Sequence, residues 1–161
     1  MRSEQEVNRA VEQYSDMILR LCMVSLKHPQ DAEDILQTVF LKYALSDKDF
    51  ESEEHEKAWL IRVAVNACKD LLKSLFRRSA VPLEEACGCV ADMDEEQLFL
   101  LQALRELPKE YREVIYLHFY EGYTASEIAG ILRKNPNTVY THLRRAKEAL
   151  KDRLGGATDE E

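Results

Sequence analysis

The chain has 161 residues, of which 45% are hydrophobic, and a net charge of −8 at pH 7. This length allows one medium-sized domain or two small ones with a packed core. Glycine and proline are scarce, and no long alternation of apolar and polar residues indicates strands, so we expect an all-α fold. The sequence shows no apolar run of about 18 residues and no signal-peptide segment. We therefore expect a cytoplasmic protein without membrane contact of its own.

Basic residues are concentrated in two segments of an otherwise acidic chain. Residues 57–78 hold 6 basic and 1 acidic side chains, and residues 133–153 hold 7 basic and 2 acidic side chains. An overall negative charge is unsuited to neutralising phosphates, but each of these segments alone has a net charge of +5. We infer two short nucleic-acid contacts, with acidic surfaces left for protein partners.

Apolar residues at helical spacing predict three helices in the first half, at residues 5–27, 31–46 and 56–78. His28-Pro29-Gln30 is expected to break the chain before the second helix, and Asp31 to be its N-cap. The polar segment 47–56 is predicted as a loop, with Phe50 as its one aromatic residue. The expected core side of the third helix consists of Trp59, Leu60, Val63, Ala64, Ala67, Cys68, Leu71, Leu72 and Leu75.

The third helix is also expected to carry a basic face opposite its core side. Four polar side chains recur there at spacings of four, three and four residues, and two arginines follow them. Such a row suits phosphate contacts, and an asparagine adds a donor and an acceptor for a base edge. The predicted DNA-binding residues of this half are Arg62, Asn66, Lys69, Lys73, Arg77 and Arg78.

Residues 79–94 are predicted as a flexible acidic linker, because they lack helical periodicity and contain proline, glycine and several carboxylates. Helices are expected at residues 95–107, ended by Pro108, and at residues 109–121, ended by Gly122. Residues 155–161 are predicted as a frayed tail. The expected architecture is two small helical domains, residues 1–78 and 95–154, with the second ending in a helix-turn-helix.

The helix-turn-helix pattern lies in residues 124–153. Thr124 and Glu127 match a capping box, while Asn135 followed by Pro136 is typical of the start of a second helix. The turn between them contains two basic residues. The second helix has an apolar stripe that we expect to be buried, formed by Val139, Leu143, Ala146 and Leu150.

The outward face of the second helix has the chemistry of a recognition helix. An amide, a hydroxyl and a guanidinium near its start can reach base edges in a major groove. An ordinary helical hairpin with a solvated face stays open as an alternative, and Glu148 indicates that DNA does not follow the whole helix. The predicted DNA-binding residues of this half are Arg133, Lys134, Asn137, Thr138, Tyr140, Thr141, Arg144 and Arg145.

The four cysteines give no metal-site pattern. Cys22 and Cys68 lie in apolar helical stretches and are expected to be buried. Cys87 and Cys89 lie in the predicted linker, where a metal or redox role stays open, but no second ligand pair at zinc-finger spacing accompanies them. No metal and no cofactor is expected.

Three motifs together resemble the extracytoplasmic-function (ECF, group 4) sigma factors of the sigma-70 family. DAEDILQTVF at residues 31–40 is similar to region 2.2, and AWLIRVAVN at residues 58–66 is similar to regions 2.3 and 2.4. LPKEYREVI at residues 107–115, EGY at residues 121–123 and the helix-turn-helix resemble region 4. The resemblance extends over nearly the whole chain.

This resemblance implies a factor that binds core RNA polymerase, recognises the −35 and −10 promoter elements and promotes DNA opening. The implied partners are promoter DNA, the β′ coiled coil and β subunit of the polymerase, and an anti-sigma factor. In the family, the loop before the basic helix captures an unstacked −10 base, which here points to residues 47–56. The outward residues of the second helix are the implied polymerase contacts: Asp34, Gln37 and Thr38.

The second half departs from the usual family pattern at four positions. The turn contains Arg133 and Lys134 where glycine and an apolar residue are usual. Tyr140 and His142 stand where lysine and arginine are frequent. We therefore expect the turn side chains to contact phosphates and the preferred promoter sequence to differ from that of better-known members.

Two other classes of function compete with this interpretation. A stand-alone helix-turn-helix regulator has no need for the motifs at residues 31–43 and 57–78. An enzyme, for example a recombinase, needs a catalytic constellation, and the sequence offers none. The sigma-factor interpretation is therefore the one that uses both halves of the chain.

Overall fold

The computed structural model describes residues 1–74 and 93–158, with side chains described as far as residue 153. Within these ranges the chain forms seven α-helices and no strand, which confirms the predicted all-α fold. The chain divides into two compact units, Met1–Asp92 and Met93–Glu161. The helices are α1 (Glu4–Leu26), α2 (Pro29–Leu45), α3 (Glu53–Ser74), α4 (Glu95–Arg105), α5 (Lys109–Phe119), α6 (Ala125–Leu132) and α7 (Pro136–Thr158).

The first unit is built from α1, α2 and α3, each of which packs against the other two. A capping box opens α1: the Ser3 hydroxyl accepts from the Glu6 amide, and the Glu6 carboxylate accepts from the Ser3 amide. The helix ends where Lys27 adopts the left-handed conformation, with φ 66°. The fully buried side chains at the centre of this unit include Ile18, Leu21, Tyr43, Leu60 and Ile61.

The start of α2 differs from the prediction. Asp31 is not the N-cap; the helix begins at Pro29, His28 holds the N-cap position, and Asp31 is buried in the first turn. Proline fits there because the first helical residue needs no N–H donor. The proline that was expected to break the chain therefore opens the helix.

The start and the core side of α3 also differ from the prediction. The helix begins at Glu53 rather than near residue 56, because the Ser52 hydroxyl caps it by accepting from the His55 amide at 3.1 Å. Its buried face includes Ile61 and Val65. The predicted core residues Trp59, Val63, Leu71 and Leu72 are only half-buried, and Leu75 lies outside the described residues. The predicted core side was thus rotated by about one residue, since both flanks of this helix carry apolar side chains.

The second unit is built from α4 to α7, and α7 packs against each of the other three helices. Asp94 and Gln97 form a capping box at α4. Helices α4 and α5 end at Arg105 and Phe119, two residues before their predicted ends. The predicted tail is wrong for residues 155–158, because α7 continues to Thr158 with no proline to stop it.

The far end of α7 is attached to the end of α4. Leu150 is buried, and Arg153 donates to the Glu106 carboxylate at 3.2 Å and to the Glu106 carbonyl at 3.0 Å. Both charged side chains are substantially exposed, so the ion pair contributes little free energy. These contacts join α7 to the end of α4, while its main packing is against α5 and α6.

Cys22 and Cys68 are both fully buried, as predicted, with their Sγ atoms 3.7 Å apart and unbridged. Cys87 and Cys89 lie outside the described residues, as do Arg77, Arg78 and most of the predicted linker. The residue bounds that we predict for the linker and the two domains stay predictions.

Candidate nucleic-acid interface

The helix-turn-helix forms with the predicted local chemistry. The Glu127 amide donates to the Thr124 hydroxyl at 3.1 Å, and the Thr124 amide donates to the Glu127 carboxylate at 2.9 Å. The Asn135 side chain accepts from the Asn137 amide at 2.8 Å, which caps α7 directly before Pro136. Each helix of the pair therefore begins at a side-chain cap that is encoded within three residues of its start.

The turn between α6 and α7 depends on a residue in the left-handed region. Arg133 has φ 56° and ψ 48°, and the Lys134 amide donates to the Ala129 carbonyl at 2.9 Å. This is the position at which glycine is favoured, because a side chain there crowds its own backbone. Arg133 is exposed, so the conformation projects its guanidinium outward from the turn.

The outward face of α7 is polar and carries a shallow, open hollow near its start. Its apolar stripe is buried as predicted, whereas Asn137, Thr138, Tyr140, Arg144 and Arg145 are exposed and Thr141 is half-exposed. A surface hollow of about 240 Å³ is lined by Asn137, Thr138, Thr141, His142 and Arg145. The hollow thus gathers amide, hydroxyl and guanidinium groups at the first turns of the helix.

His142 forms the inner wall of this hollow. Its ring lies 5.6 Å from the Tyr111 ring of α5, and its Nδ1 atom is buried without a partner among the described residues. Burial lowers the pKa of His142, and the nearby positive charge of Lys134 lowers this pKa further. The imidazole is therefore neutral at pH 7, unlike the lysine or arginine that is frequent at this position of the resembled family.

In the first unit, α3 carries a basic face that corresponds to the polar, basic face of α7 in the second unit. Asn66 and Lys73 are exposed, while Arg62 and Lys69 are half-exposed, on the side opposite the buried Leu60. Eleven residues separate the ends of this row, which spans about 16 Å at 1.5 Å per residue. We name these four residues the α3 basic face.

Helix α2 carries a different kind of surface. Asp34 and Gln37 are exposed, and the half-exposed Thr38 donates to the Asp34 carbonyl at 3.0 Å. Leu41 and Leu45, each 60% exposed, continue the same side of the helix. We name these five residues the α2 outer face. The prediction missed both leucines, although their spacing of seven and eleven residues from Asp34 placed them there.

An ion pair between the exposed Arg9 and the buried Glu56 joins the helices of the first unit, and the sequence did not reveal it. Arg9 donates to both carboxylate oxygens of Glu56, at 2.6 and 2.8 Å, and the Tyr43 hydroxyl donates to the same carboxylate at 2.6 Å. The hydrogen bond from Arg9 lowers the pKa of Glu56, while burial and this carboxylate raise the pKa of Tyr43 to about 12. Glu56 therefore stays ionised and fixes α3 to both other helices.

Four rings lie next to this ion pair, and we name them the aromatic cluster: Tyr43, Phe50, His55 and Trp59. The Tyr43 and Phe50 rings are nearly parallel at 6.3 Å between centroids, and Phe50 meets Trp59 edge-on at 5.6 Å. Tyr43 is buried, whereas the other three are half-exposed. The segment before α3 therefore presents aromatic surface to its surroundings.

Two other kinds of feature, a membrane-spanning helix and a metal-ligand cluster, are not found within residues 1–74 and 93–158. No helix there is long and apolar enough to cross a membrane. No group of three or more metal-ligating side chains occurs among the same residues.

Two family models match the chain, one to each unit. The model described as Sigma-70 region 2 matches residues 10–78, and the model described as Sigma-70, region 4 matches residues 100–150. The ECF RNA polymerase sigma factor SigW of Bacillus subtilis is 29% identical over 161 residues, which cover 89% of this chain and 86% of SigW. The ECF RNA polymerase sigma factor SigM of Mycobacterium tuberculosis is 30% identical, with 84% of this chain and 70% of SigM covered.

The chain belongs to the ECF sigma factors of the sigma-70 family. The RNA polymerase sigma factor SigV of Bacillus subtilis, 31% identical over 84% of this chain and 82% of its own length, agrees with this assignment. The resemblance inferred from the three motifs is thereby confirmed.

Two solved sigma-factor structures share the fold of this ECF sigma factor. CnrH, in complex with the cytosolic domain of CnrY, has a TM-score of 0.69 at 23% identity, with 96% of this chain and 90% of that chain covered. RpoE, in complex with the anti-sigma factor NepR from Bartonella quintana, has a TM-score of 0.73 at 19% identity, with 94% and 98% covered. At such low identity the likeness establishes the fold and not the residue contacts.

The family matches contain most of the candidate surfaces of this sigma factor. The region 2 match includes the α2 outer face, the aromatic cluster and the α3 basic face, and the region 4 match includes the helix-turn-helix. Arg2 and Arg9 precede the residues that the region 2 model matches. The region 2 match therefore does not extend to the contacts made by these two arginines.

Proposed function

We propose that this sigma factor holds promoter DNA at two points, with α7 at the −35 element and the α3 basic face with the aromatic cluster at the −10 element. The observation that carries the proposal is the pairing of two exposed basic helix faces, one in each unit, within an acidic chain. A stand-alone regulator needs only the second of these faces. A promoter factor uses both.

The α2 outer face is the proposed site for core RNA polymerase. Its composition, one carboxylate and one amide beside two exposed leucines, is that of a protein-binding surface rather than a nucleic-acid surface. The Asp34 carboxylate repels phosphate groups, so this surface favours a protein over a nucleic acid. The β′ coiled coil is the proposed protein partner. Leu41 and Leu45 supply the apolar area that Asp34, Gln37 and Thr38 alone lack.

At the −35 element, the polar residues around the hollow on α7 are the proposed readers of base edges. Asn137, Thr141 and Arg144 lie within two turns of the helix start, which is the part of a recognition helix that enters the major groove. Arg133, Lys134 and Arg145 are the proposed phosphate contacts. Tyr140, at 60% exposure, and Thr138 complete the proposed surface.

At the −10 element, the aromatic cluster is the proposed platform for an unpaired base. Phe50 and Trp59 are half-exposed and adjoin the α3 helix that carries the basic face. Stacking of one base on an aromatic ring contributes about 1–3 kcal/mol, which is comparable with the cost of unstacking that base. Arg62, Asn66, Lys69 and Lys73 are the proposed contacts to the neighbouring backbone. Arg77 and Arg78 extend this proposal beyond the described residues.

We include an anti-sigma factor among the proposed partners, since two solved relatives of the same fold were captured with CnrY and with NepR. Co-expression with the product of the neighbouring gene tests this partner. A stoichiometric complex of the two proteins that blocks binding to core polymerase supports an anti-sigma partner. If the sigma factor binds core polymerase equally well in the presence of that gene product, the partner is contradicted.

The deciding experiment is in vitro transcription with core RNA polymerase on a fragmented genomic template. We expect start sites that depend on this factor, loss of them with Leu41→Asp, and retention of them with Lys42→Ala, an exposed residue on the adjacent side of α2. Binding of Leu41→Asp to −35 duplex DNA should be unchanged, because α7 lies in the other unit. A complete absence of factor-dependent start sites refutes the proposal, and duplex binding without any polymerase association points to the stand-alone regulator.

A further inference from the structure

Arg2 attaches the residues before α1 to the segment that precedes α3. Its Nε donates to the Tyr43 carbonyl at 3.1 Å, its Nη2 donates to the Lys48 carbonyl, and its amide donates to the Ala44 carbonyl at 2.8 Å. The Arg2 side chain is only 10% exposed. One buried guanidinium thus holds the end of α2 and the middle of the 46–52 segment together.

The same guanidinium lies over two rings of the aromatic cluster. Its central carbon is 4.4 Å from the centre of the Tyr43 ring and 5.0 Å from the centre of the Phe50 ring. A cation over an aromatic face is attracted by the ring quadrupole, with about 0.5–2 kcal/mol for each contact according to its exposure. Arg2 therefore acts on Phe50 directly, through the ring, as well as through the Lys48 carbonyl.

Phe50 links Arg2 to the two half-exposed rings of Trp59 and His55. Its edge-on contacts reach Trp59 at 5.6 Å and His55 at 5.4 Å between centroids. The His55 ring accepts from the Glu51 amide at 3.1 Å, which closes the segment onto the first turn of α3. Movement of Phe50 would displace both half-exposed neighbours at once.

Charge repulsion disfavours the folded arrangement of residues 46–52, the segment before α3. Residues 46–52 contain three carboxylates and one lysine, so they repel one another and any approaching phosphate. Arg2 places a buried positive charge against this segment. The segment is also held by the Met1 ammonium, which pairs with Asp47 at 2.6 Å, and by the Ser46 hydroxyl, which accepts from the Lys48 amide at 3.1 Å, but neither of these groups contacts a ring of the aromatic cluster among the described residues.

We propose that Arg2 is a positioning residue for the unpaired −10 base: it holds Phe50 and Trp59 in the geometry on which that base stacks. The inference rests on the proposed function of the aromatic cluster. Arginine is required rather than lysine, because two carbonyls and two rings are contacted at the same time by the planar fork. Arg2 precedes residues 10–78, which the region 2 model matches.

The test compares Arg2→Ala, Arg2→Lys and the control Lys48→Ala in the full chain. Lys48→Ala removes one positive charge from the same exposed segment but keeps the backbone carbonyl that Arg2 contacts. Holoenzymes are assembled on a promoter found by the transcription assay. Permanganate reactivity of unpaired −10 thymines is measured at saturating holoenzyme, and affinity for the isolated −35 duplex is measured in parallel.

We expect Arg2→Ala to lower −10 opening by about tenfold, as the loss of one stacked base predicts, with −35 affinity unchanged. Arg2→Lys is expected to be nearly as defective, and Lys48→Ala to open DNA like the wild type. Trp59 is the single tryptophan, so its fluorescence reports the cluster without DNA: both Arg2 variants should shift its emission, and Lys48→Ala should not.

Wild-type opening by Arg2→Lys overturns the inference, even if Arg2→Ala is too unstable to assay. Equal defects in Lys48→Ala and Arg2→Ala also overturn it, because they assign the effect to charge alone. If the wild-type factor opens no promoter with core polymerase, the proposed function fails instead, and the inference fails with it. The Trp59 emission of the Arg2 variants then still shows whether Arg2 positions the cluster.

Discussion

Replacing Arg133 with glycine is expected to raise the stability of the second unit while weakening its hold on DNA. Arg133 lies in the left-handed region, at φ 56° and ψ 48°, where a side chain is strained and glycine is not. The strain for an L-residue in this region is about 1–2 kcal/mol. Glycine also makes the unfolded chain more flexible, which offsets about 0.4–1 kcal/mol of the gain. The net stabilisation expected for Arg133→Gly is therefore about 0.5–1 kcal/mol.

The effect on DNA has the opposite sign, because the exposed guanidinium is a proposed phosphate contact. Loss of one contact should reduce the slope of log affinity against log salt by about one. Arg133→Ala is the matched control, since it removes the same charge but keeps the left-handed strain. Both variants should lose equal affinity for −35 duplex DNA, and only the glycine variant should gain stability.

Hydrogen exchange across α6 and α7 measures the stability of this unit in the intact chain, and fluorescence anisotropy at several salt concentrations measures DNA binding. Equal stability of Arg133→Gly and Arg133→Ala refutes the argument from strain. An unchanged salt slope in both variants refutes the phosphate contact.

Three further predictions concern single side chains. Glu56→Gln should destabilise the first unit by about 2–3 kcal/mol at pH 7, less than a fully buried pair because Arg9 is 45% exposed. Because the fold lowers the pKa of Glu56, the extra stability of the wild type over Glu56→Gln is complete above pH 4.5, the ordinary pKa of this side chain, and is lost as the pH falls further. Urea titrations of both proteins, followed by Trp59 fluorescence at several pH values, will show this loss. Burial lowers the pKa of His142, so the neutral imidazole contributes to stability above pH 6.5 and this contribution declines at lower pH. Hydrogen exchange at pH 7.5 and 5.5 should therefore show that the second unit of His142→Gln loses less stability between these two pH values than the second unit of the wild type. Arg144→Ala should cost about 1–3 kcal/mol of binding and relax base preference at one −35 position in a selection from randomised duplexes, whereas Lys147→Ala should leave that preference intact.

The helix-turn-helix was predictable because its determinants are local. The Thr124–Glu127 capping box, the Asn135 cap and the apolar stripe of α7 each lie within one element, and the structure places all of them as expected. Helical periodicity alone was enough to separate the polar face from the buried face. For the same reason the exposed positions of Asn66 and Lys73 were predicted correctly.

The first unit was less predictable where its determinants join distant residues. The sequence places Glu56 at the boundary between a predicted polar loop and a predicted helix, yet its side chain is buried against Arg9, 47 positions away. No spacing rule connects two residues so far apart. Arg2 was missed for the same reason, and Trp59 was assigned to the core because a half-buried aromatic residue has the periodicity of a buried one.

The position of α7 within the second unit, where Arg153 bonds to Glu106 at the end of α4, has a geometric consequence for the opposite end of the helix. From Pro136 to Arg153 the helix measures about 26 Å, so a tilt of 10° at its far end shifts its first turn by about 4–5 Å. One base-pair step along DNA is about 3.4 Å. The packing of α7 on α5 and α6, with the Arg153 contact at its far end, therefore determines which base pair each side chain of the recognition helix meets.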